Sequence, residues 1–233
     1  MQTSYDSAYG QDAQAAERAE FIRKTYLHLA GAILVFGVLE YALLQIPWAV
    51  SLAQLMTGGY AWLIVLGAFM GVSYLAERMA WNATSIETQY AGLGLYVLAQ
   101  AIIFLPMMLI AVNYSSPEVL PNAAMLTAAL FTGLTFVVFT TKKDFSFLGS
   151  VLKIGGFVAL GFIGASIVFG FSLGLLFSAA MVVFASVAIL YNTSMVLREY
   201  PSDKYVAAAL SLFASVALLF WYILQIFLSF GDD

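Results

Sequence analysis

Long apolar runs alternate with short polar breaks along almost the entire chain. A bilayer core about 30 Å thick requires roughly 20 consecutive apolar residues for each crossing helix. The pattern therefore predicts an all-α integral membrane protein, a bundle of seven transmembrane helices. The predicted spans are 22–46, 60–80, 88–112, 122–140, 148–169, 172–195 and 205–229.

The breaks between these spans contain residues that disfavour helices or carry charge. Proline and glycine are the strongest local signals for the end of a helix. The break at 170–174 is an uncharged turn bounded by glycines, whereas the breaks at 141–144 and 198–204 are strongly polar and contain basic residues. The breaks fall at Pro47, at 58–59, at 113–117 together with Pro121, at 141–144, at 170–174 and at 198–204.

The distribution of basic residues predicts how the bundle is oriented. With seven spans, all nine Lys and Arg lie in the N-terminal segment or near the second–third, fourth–fifth and sixth–seventh connections. The positive-inside rule then places the N-terminus in the cytoplasm and the C-terminus outside. Six or eight spans would put some of these charges outside. The residues are Arg18, Arg23, Lys24, Arg78, Lys142, Lys143, Lys153, Arg198 and Lys204.

The chain divides into a polar segment and a membrane domain. Residues 1–20 are rich in Gln, Ser, Asp and Ala and are interpreted as a partly disordered cytoplasmic tail. Residues 21–230 form the seven-helix membrane domain. The polar segment lacks the basic start, short apolar stretch and cleavage site of a signal peptide, so the first span is interpreted as an uncleaved signal anchor.

Small residues indicate which helices can pack closely. Association of helices in lipid depends on close backbone approach and polar contacts. The fifth and seventh spans are rich in Gly, Ala and Ser, and those of the seventh are spread over several faces. We therefore expect the seventh helix to lie near the centre of the bundle.

Composition excludes several functional classes. Hydrophobic residues make up 63% of the chain and charged residues 9%, whereas about a quarter of a soluble domain is charged. A net charge of −4 leaves no basic surface for nucleic acid. The chain has no cysteine, so disulfides, thiolate nucleophiles and cysteine metal sites are excluded.

Ionisable or amide side chains within the spans are the candidate functional groups. Glu40 lies 18 residues beyond Ile22, which is about 27 Å along a helix. It is interpreted as an interfacial carboxylate near the outer face, with a gate or cation site at the outer mouth as the alternative. Gln100, near the middle of the third span, either bonds a neighbouring helix or lines a path. His28 is interpreted as a packing residue, with a pH sensor as the alternative.

Catalytic arrangements are absent from the sequence pattern. There is no HExxH motif and no two carboxylates are placed inside the bundle as intramembrane proteolysis requires. Lys204 lies only at the inner end of the seventh span, which contains no lysine. We expect a protein that is not an enzyme and that has no cofactor or metal site. Glu77 and Arg78 are interpreted as interface anchors beside Trp81, and Arg78 is also a candidate for an inner gate.

Three stretches resemble one known family. They are Phe21–Tyr26 (FIRKTY), Thr140–Gly149 (TTKKDFSFLG), and Leu190–Ser194 (LYNTS) together with Ala209–Phe213 (ALSLF). They resemble the Bax inhibitor family, especially its bacterial YccA-like branch. The seven-span pattern extends the resemblance over essentially the whole chain.

The resemblance implies a seven-helix fold with a central last helix and one of two functions. Some members are pH-sensitive calcium leak channels, in which an Asp of the sixth helix shares a proton with an Asp of the seventh. Members of the YccA branch modulate the membrane-anchored protease FtsH. At the two Asp positions this sequence has Asn192 and Ser215. Neither titrates near neutral pH and neither supplies charge to a divalent cation, so the acidic switch is expected not to operate.

Two hypotheses therefore remain. The first is an inner-membrane regulator that contacts other membrane proteins, such as an FtsH-type protease. The second is a Ca²⁺ or other cation leak channel without the acidic switch. Thr193, Ser194 and Ser211 could form a closing polar layer or ordinary helix contacts. A path through Gln100 and Ser211 to Ser215 would favour the channel, and a dry, closed bundle would favour the regulator.

Overall fold

The computed structural model describes residues 2–58, 60–82, 85–141 and 143–230, with side chains from residue 13 onward. Those ranges form eight helices and contain no strand. The helices are α1 (Gln2–Leu44), α2 (Pro47–Met56), α3 (Ala61–Asn82), α4 (Ile86–Asn113), α5 (Val119–Thr141), α6 (Leu148–Phe169), α7 (Gly174–Arg198) and α8 (Tyr205–Phe230).

All of these helices except α2 are long and apolar enough to cross a membrane. The prediction of an all-α, seven-span protein is confirmed, and the limits of α3 to α8 lie within about three residues of the predicted limits. One difference concerns Pro121, which was expected to separate two spans. It lies in the first turn of α5, where proline removes no helical hydrogen bond because the first backbone N–H groups have no intrahelical acceptor.

The N-terminal part of α1 differs from the sequence prediction. Residues 2–20 were expected to be partly disordered, but α1 is continuous from Gln2 to Leu44. The segment at 13–20 consists of Ala, Gln, Glu and Arg, which have high intrinsic helix propensity. A helix already nucleated in the membrane can therefore extend through this polar segment at low cost.

The short helix α2 was not predicted. Pro47 ends the apolar run, as expected, but it also occupies the first turn of a new helix. Its missing N–H and fixed φ suit that position. Ala49 and Ala53 of α2 pack against Leu105 of α4. As a result, α2 covers one end of the bundle.

The centre of the bundle is formed by α8 and α4. Within the apolar 18-residue stretch of each span, 67% of the residues are buried in α8 and 61% in α4, against 28% or less in the other spans. The central position of the last helix is therefore confirmed. Ala207, Ala208 and Ala209 allow close approach near its start, and the Phe213 ring packs against Phe36 of α1 and Tyr96 of α4.

The small residues of α6 have a different role. This helix is peripheral, because only 6% of its apolar 18-residue stretch is buried. Gly155 lies under the Phe184 ring of α7, where an added Cβ would be 2.9 Å from Cε2, but Gly161 and Gly164 face open space. The turn between α6 and α7 requires glycine for conformation, because Gly170 and Gly174 have φ of 72° and 69°.

The two ends of the bundle differ in charge. We refer to the end at which α7 ends and α8 begins as the basic end, since Arg18, Lys143, Arg198 and Lys204 lie there. The other is called the opposite end.

Candidate functional site

A cavity of about 670 Å³ lies between α3, α4, α6, α7 and α8. The α8 residues on its wall run from Ala207 to Gln225, a length of about 27 Å at the helical rise. The cavity therefore extends through most of the bilayer thickness. Most of its wall is apolar or aromatic, including Trp62, Phe104 and Trp221.

The structure brings four sequence-predicted residues together on this wall. These are Gln100 of α4, Asn192 of α7, and Ser211 and Ser215 of α8. The Asn192 Nδ2 group donates to Ser215 Oγ at 2.8 Å and to the Ser211 carbonyl oxygen at 3.3 Å. Ser215 Oγ donates to the same carbonyl at 3.1 Å. Asn192, Ser211 and Ser215 thus form a neutral hydrogen-bonded layer.

Tyr200 and Trp81 lie beside this layer. The Tyr200 hydroxyl and Ser211 Oγ are 2.8 Å apart, and the Tyr200 ring stacks on Trp81 of α3, with 4.9 Å between the centroids. Gln100 is only 7% exposed. Its Oε1 atom has no hydrogen-bond partner among the described residues.

The remaining predicted polar residues of α7 face other elements. Ser194 Oγ accepts from the Phe145 backbone N–H at 3.0 Å and lies 3.5 Å from Asp144 Oδ1. Thr193 is fully buried and lies near the Tyr26 hydroxyl. Arg78 is exposed at the basic end, in a shallow cleft with Tyr74, Glu77, Trp81 and Asn82. None of these three predicted residues lines the described wall of the cavity.

Glu40 occupies a different environment from the one expected. The sequence count placed it near an interface, but its side chain is 1% exposed. Both carboxylate oxygens are buried without a hydrogen-bond partner in the described part of the chain. It lies one turn from Phe36, whose ring packs against Phe104 and Phe213. Residues four apart share a helix face, so Glu40 points into the bundle rather than towards lipid headgroups.

His28 is held by polar and aromatic contacts. Its Nδ1 atom is 2.7 Å from the Lys24 carbonyl oxygen, and its Nε2 atom is 2.7 Å from the Tyr90 hydroxyl. A carbonyl only accepts, so in the neutral ring Nδ1 carries the proton and Nε2 accepts from Tyr90. The ring also packs against Tyr205 at 5.0 Å between centroids. This environment fits the packing interpretation.

The stretches that carried the family resemblance meet at the basic end, which the sequence did not predict. Asp144 Oδ1 accepts the Ser146 backbone N–H at 2.8 Å, and this bond is the main cause that lowers the pKa of the Asp144 carboxyl. Ser194 binds the adjacent Phe145 N–H. Gly149 lies so close to the Tyr191 ring that a Cβ at this position would be 2.9 Å from Tyr191 Cε2. The TTKKDFSFLG and LYNTS stretches therefore form one contact.

Arg18 joins the N-terminal helix to the same region. Its guanidinium donates to three backbone carbonyls at the end of α7 and in the following loop. The acceptors are Val196 O at 2.6 Å, Leu197 O at 3.1 Å and Tyr200 O at 2.6 Å. These carbonyls lie beyond the last intrahelical bonds, and the positive charge also complements the helix dipole. No sequence motif marked this cap, because its partners lie almost 180 residues away along the chain.

The described ranges contain no cluster of side chains suited to binding a metal ion. No three His, Asp or Glu side chains there are grouped so that they could hold a metal ion.

Comparisons with known proteins identify one family. A family model described as inhibitor of apoptosis-promoting Bax1 matches residues 18–232. An uncharacterized protein of Pseudomonas aeruginosa is 32% identical, over 98% of this chain and 99% of its own length. The modulator of FtsH protease YccA from Escherichia coli K12 is 29% identical, over 70% and 73% of the two chains. Protein LIFEGUARD 4 of Arabidopsis thaliana is 27% identical, over 89% and 83%.

Proposed function

This chain belongs to the family of inhibitors of apoptosis-promoting Bax1, and from that premise we propose that it is a non-enzymatic regulator acting through contacts with other membrane proteins. The partner we propose first is a membrane-anchored protease of the FtsH type. This is the activity given in the name of the Escherichia coli relative YccA. The bacterial inner membrane, in which a second YccA relative is named, is the proposed location.

The observation that carries this proposal is the neutral pair at Asn192 and Ser215. The Asn192 amide donates to Ser215 Oγ and the Ser211 carbonyl, so this layer joins α7 to α8. Neither side chain offers a negative charge, which a hard divalent cation requires for strong binding. The layer is suited to holding two helices together rather than to binding a cation or sensing pH.

The N-terminal part of α1 is the proposed contact element. A helix of 43 residues is about 65 Å long, which exceeds a bilayer core by about 35 Å. Arg18 fixes the helix to the end of α7. Residues before Arg18 therefore extend beyond this attachment, and residues 13–17 are exposed.

Deletion of residues 1–17 tests this role. The full chain and the deletion variant would be reconstituted in nanodiscs and tested for binding to a purified FtsH-type protease. We expect capture to be lost while thermal unfolding stays unchanged, because Arg18 and its bonds remain. Unchanged capture by the folded deletion variant would reject the contact element, and no binding by the full chain would reject this partner.

A leak channel is the second candidate, and the cavity favours it. Gln100, Asn192, Ser211 and Ser215 lie on the wall of a cavity whose length approaches the bilayer thickness. Ca²⁺ flux into proteoliposomes would be measured at about pH 6 and about pH 8 for the native chain and for Asn192→Asp/Ser215→Asp, whose two carboxyls would titrate as a coupled pair. Native flux that ignores pH, together with pH-dependent flux in the double variant, supports the channel. Absence of native flux, with the protein folded, supports the regulator.

A further inference from the structure

The shallow cleft at the basic end contains two charges of opposite sign. Its described wall consists of Tyr74, Glu77, Arg78, Trp81 and Asn82, all of which belong to α3. The last four positions follow the first by three, four, seven and eight residues, so the five side chains lie on one face of the helix. We refer to this face as the α3 cleft.

Both charges of the α3 cleft are available to a ligand. Glu77 and Arg78 are exposed, and neither forms an ion pair within the part of the chain that the structure describes. Adjacent residues of a helix do not face each other, so the carboxylate and the guanidinium do not neutralise one another. A molecule bound in the cleft therefore meets a negative acceptor and a positive donor side by side.

The α3 cleft lies at the depth of the lipid headgroups. The 22 residues of α3 extend over about 33 Å, so the ends of the helix reach beyond a bilayer core of about 30 Å. Glu77 and Arg78 are in its last two turns. Tyr74 and Trp81, which are 68% and 40% exposed on the same face, are side chains typical of the membrane interface.

Apolar wall lies directly beside these charges. Glu77 and Trp81 line the α3 cleft and also the cavity between α3, α4, α6, α7 and α8. The Trp81 ring stacks on the ring of Tyr200, whose hydroxyl contacts Ser211 Oγ, so this shared part of the wall is held by α8. A molecule whose polar head occupies the cleft has an apolar surface next to it for a hydrocarbon chain.

The two charges select a zwitterionic headgroup that contains a primary ammonium. A phosphate oxygen accepts from the planar guanidinium of Arg78, which favours two parallel bonds to such a group. A primary ammonium has three N–H donors for the Glu77 carboxylate, whereas a trimethylammonium has none. An anionic headgroup without an ammonium would be attracted by Arg78 but repelled by Glu77.

We propose that the α3 cleft binds the headgroup of one phosphatidylethanolamine molecule, whose ammonium donates to Glu77 and whose phosphate accepts from Arg78. The amide of Asn82, on the same face, is a further donor for the phosphate. The site does not depend on the regulator function or on the channel candidate, because it requires neither a protein partner nor an ion path.

Native mass spectrometry tests the selectivity for the headgroup. The full chain would be delipidated in detergent at about pH 7 and titrated with phosphatidylethanolamine, phosphatidylcholine and phosphatidylglycerol that have identical acyl chains. We expect the first bound lipid to be phosphatidylethanolamine, preferred over each of the other two by about three- to tenfold. This is the range expected of one partly exposed, charge-assisted hydrogen bond.

Two variants separate the contributions of the two charges. Glu77→Gln should abolish the preference for the ethanolamine lipid over the choline lipid and should raise binding of the glycerol lipid, because the repelling charge is lost. Arg78→Gln should weaken binding of the ethanolamine and choline lipids equally, by about threefold, since both contain the phosphate. Glu118→Gln and Arg23→Gln remove exposed charges outside the cleft and should leave affinity and selectivity unchanged.

Carbodiimide coupling locates the ammonium and requires no variant. The reagent joins a carboxylate to a primary amine in direct contact with it, and the adduct would be mapped by peptide mass spectrometry after treatment of the native chain in phosphatidylethanolamine nanodiscs. Glu87 is an exposed carboxylate at the same end of the bundle. We expect lipid adducts at Glu77 to exceed those at Glu87 at least about threefold, because the phosphate contact to Arg78 retains the lipid there.

Four outcomes would overturn the proposal. They are equal affinity of the native chain for the three lipids, a preference for the ethanolamine lipid that survives in folded Glu77→Gln, an equal effect of Arg23→Gln and Arg78→Gln, and lipid adducts as frequent at Glu87 as at Glu77. The coupling result decides the matter if a variant is poorly folded. None of these outcomes bears on the regulator function, which is tested by protease capture.

Discussion

At the scale of single residues, Arg18 has the clearest structural role. Its three hydrogen bonds satisfy carbonyls at the end of α7 and attach the first helix to the loop before α8. The side chain also lies over the Phe21 ring, 4.8 Å from the centroid. It is partly exposed, so solvent screening reduces the value of its charge.

Replacement of Arg18 should weaken the fold measurably. We expect Arg18→Ala to lower the free energy of unfolding by about 1–2 kcal/mol, because three acceptors lose a charged donor. Arg18→Lys should recover only part of this loss, since an ammonium lacks the planar fork of donors. Unfolding in detergent, followed by circular dichroism against temperature, measures both. Equal stability of all three proteins would show that the cap contributes nothing.

Glu40 is the other residue whose environment makes a specific prediction. Its carboxylate oxygens are buried without partners among the described residues, and an ionised carboxylate there would be uncompensated. The group is therefore expected to be neutral in the packed bundle. Glu40→Gln, which is neutral and of similar shape, should keep or raise the thermal midpoint, whereas Glu40→Lys should prevent folding. A large loss of stability in Glu40→Gln would contradict the neutral state.

At the scale of helices, glycines that look alike in the sequence differ in how closely a neighbouring helix approaches them. Gly92 and Gly94 are both in α4. A Cβ on Gly92 would lie 2.6 Å from the Ala76 carbonyl oxygen and 3.0 Å from the Ala80 nitrogen, both backbone atoms of α3. A Cβ on Gly94 meets nothing within 4 Å. The α3–α4 contact therefore depends on Gly92.

Alanine substitution tests this difference. Gly92→Ala should destabilise the protein by about 1–3 kcal/mol or more, because overpacking against backbone cannot be relieved by a side-chain rotation. Gly94→Ala should be neutral or stabilising by up to about 1 kcal/mol, since alanine favours helix. The two variants would be compared by thermal unfolding in the same detergent. A tolerated Gly92→Ala would mean that α3 and α4 are farther apart than the structure describes.

At the scale of the whole molecule, the basic end is where the TTKKDFSFLG stretch, the LYNTS stretch and the Arg18 cap come together. Contacts there join α1, the α5–α6 loop, α7 and the α7–α8 loop. The positive-inside rule assigns this end to the cytoplasm.

Orientation remains a prediction, and reporter fusions can test it. A reporter fused after Asp233 should be active on the outer side of the membrane, and one placed in the α5–α6 loop should be active in the cytoplasm. The physical reason is that all nine Lys and Arg lie near connections on one side. A cytoplasmic signal after Asp233 would contradict the orientation.

Properties that depend on local composition could be predicted from the sequence. Length of apolar runs predicted seven spans and their limits, because spanning a bilayer is a requirement on consecutive residues. The three short stretches predicted the family. Counting along α1 gave the depth of Glu40 but not the direction in which its side chain points.

Which helix faces meet could be seen only in the folded bundle. The spans are apolar on most sides, so periodicity carries little information about which side is buried. For this reason neither the burial of Glu40 nor the separation of Thr193 and Ser194 from the cavity was predicted. That Gln100, Asn192, Ser211 and Ser215 share one wall depends on how three different spans, α4, α7 and α8, pack together. Such packing is set by contacts between residues distant in sequence, which no local pattern encodes.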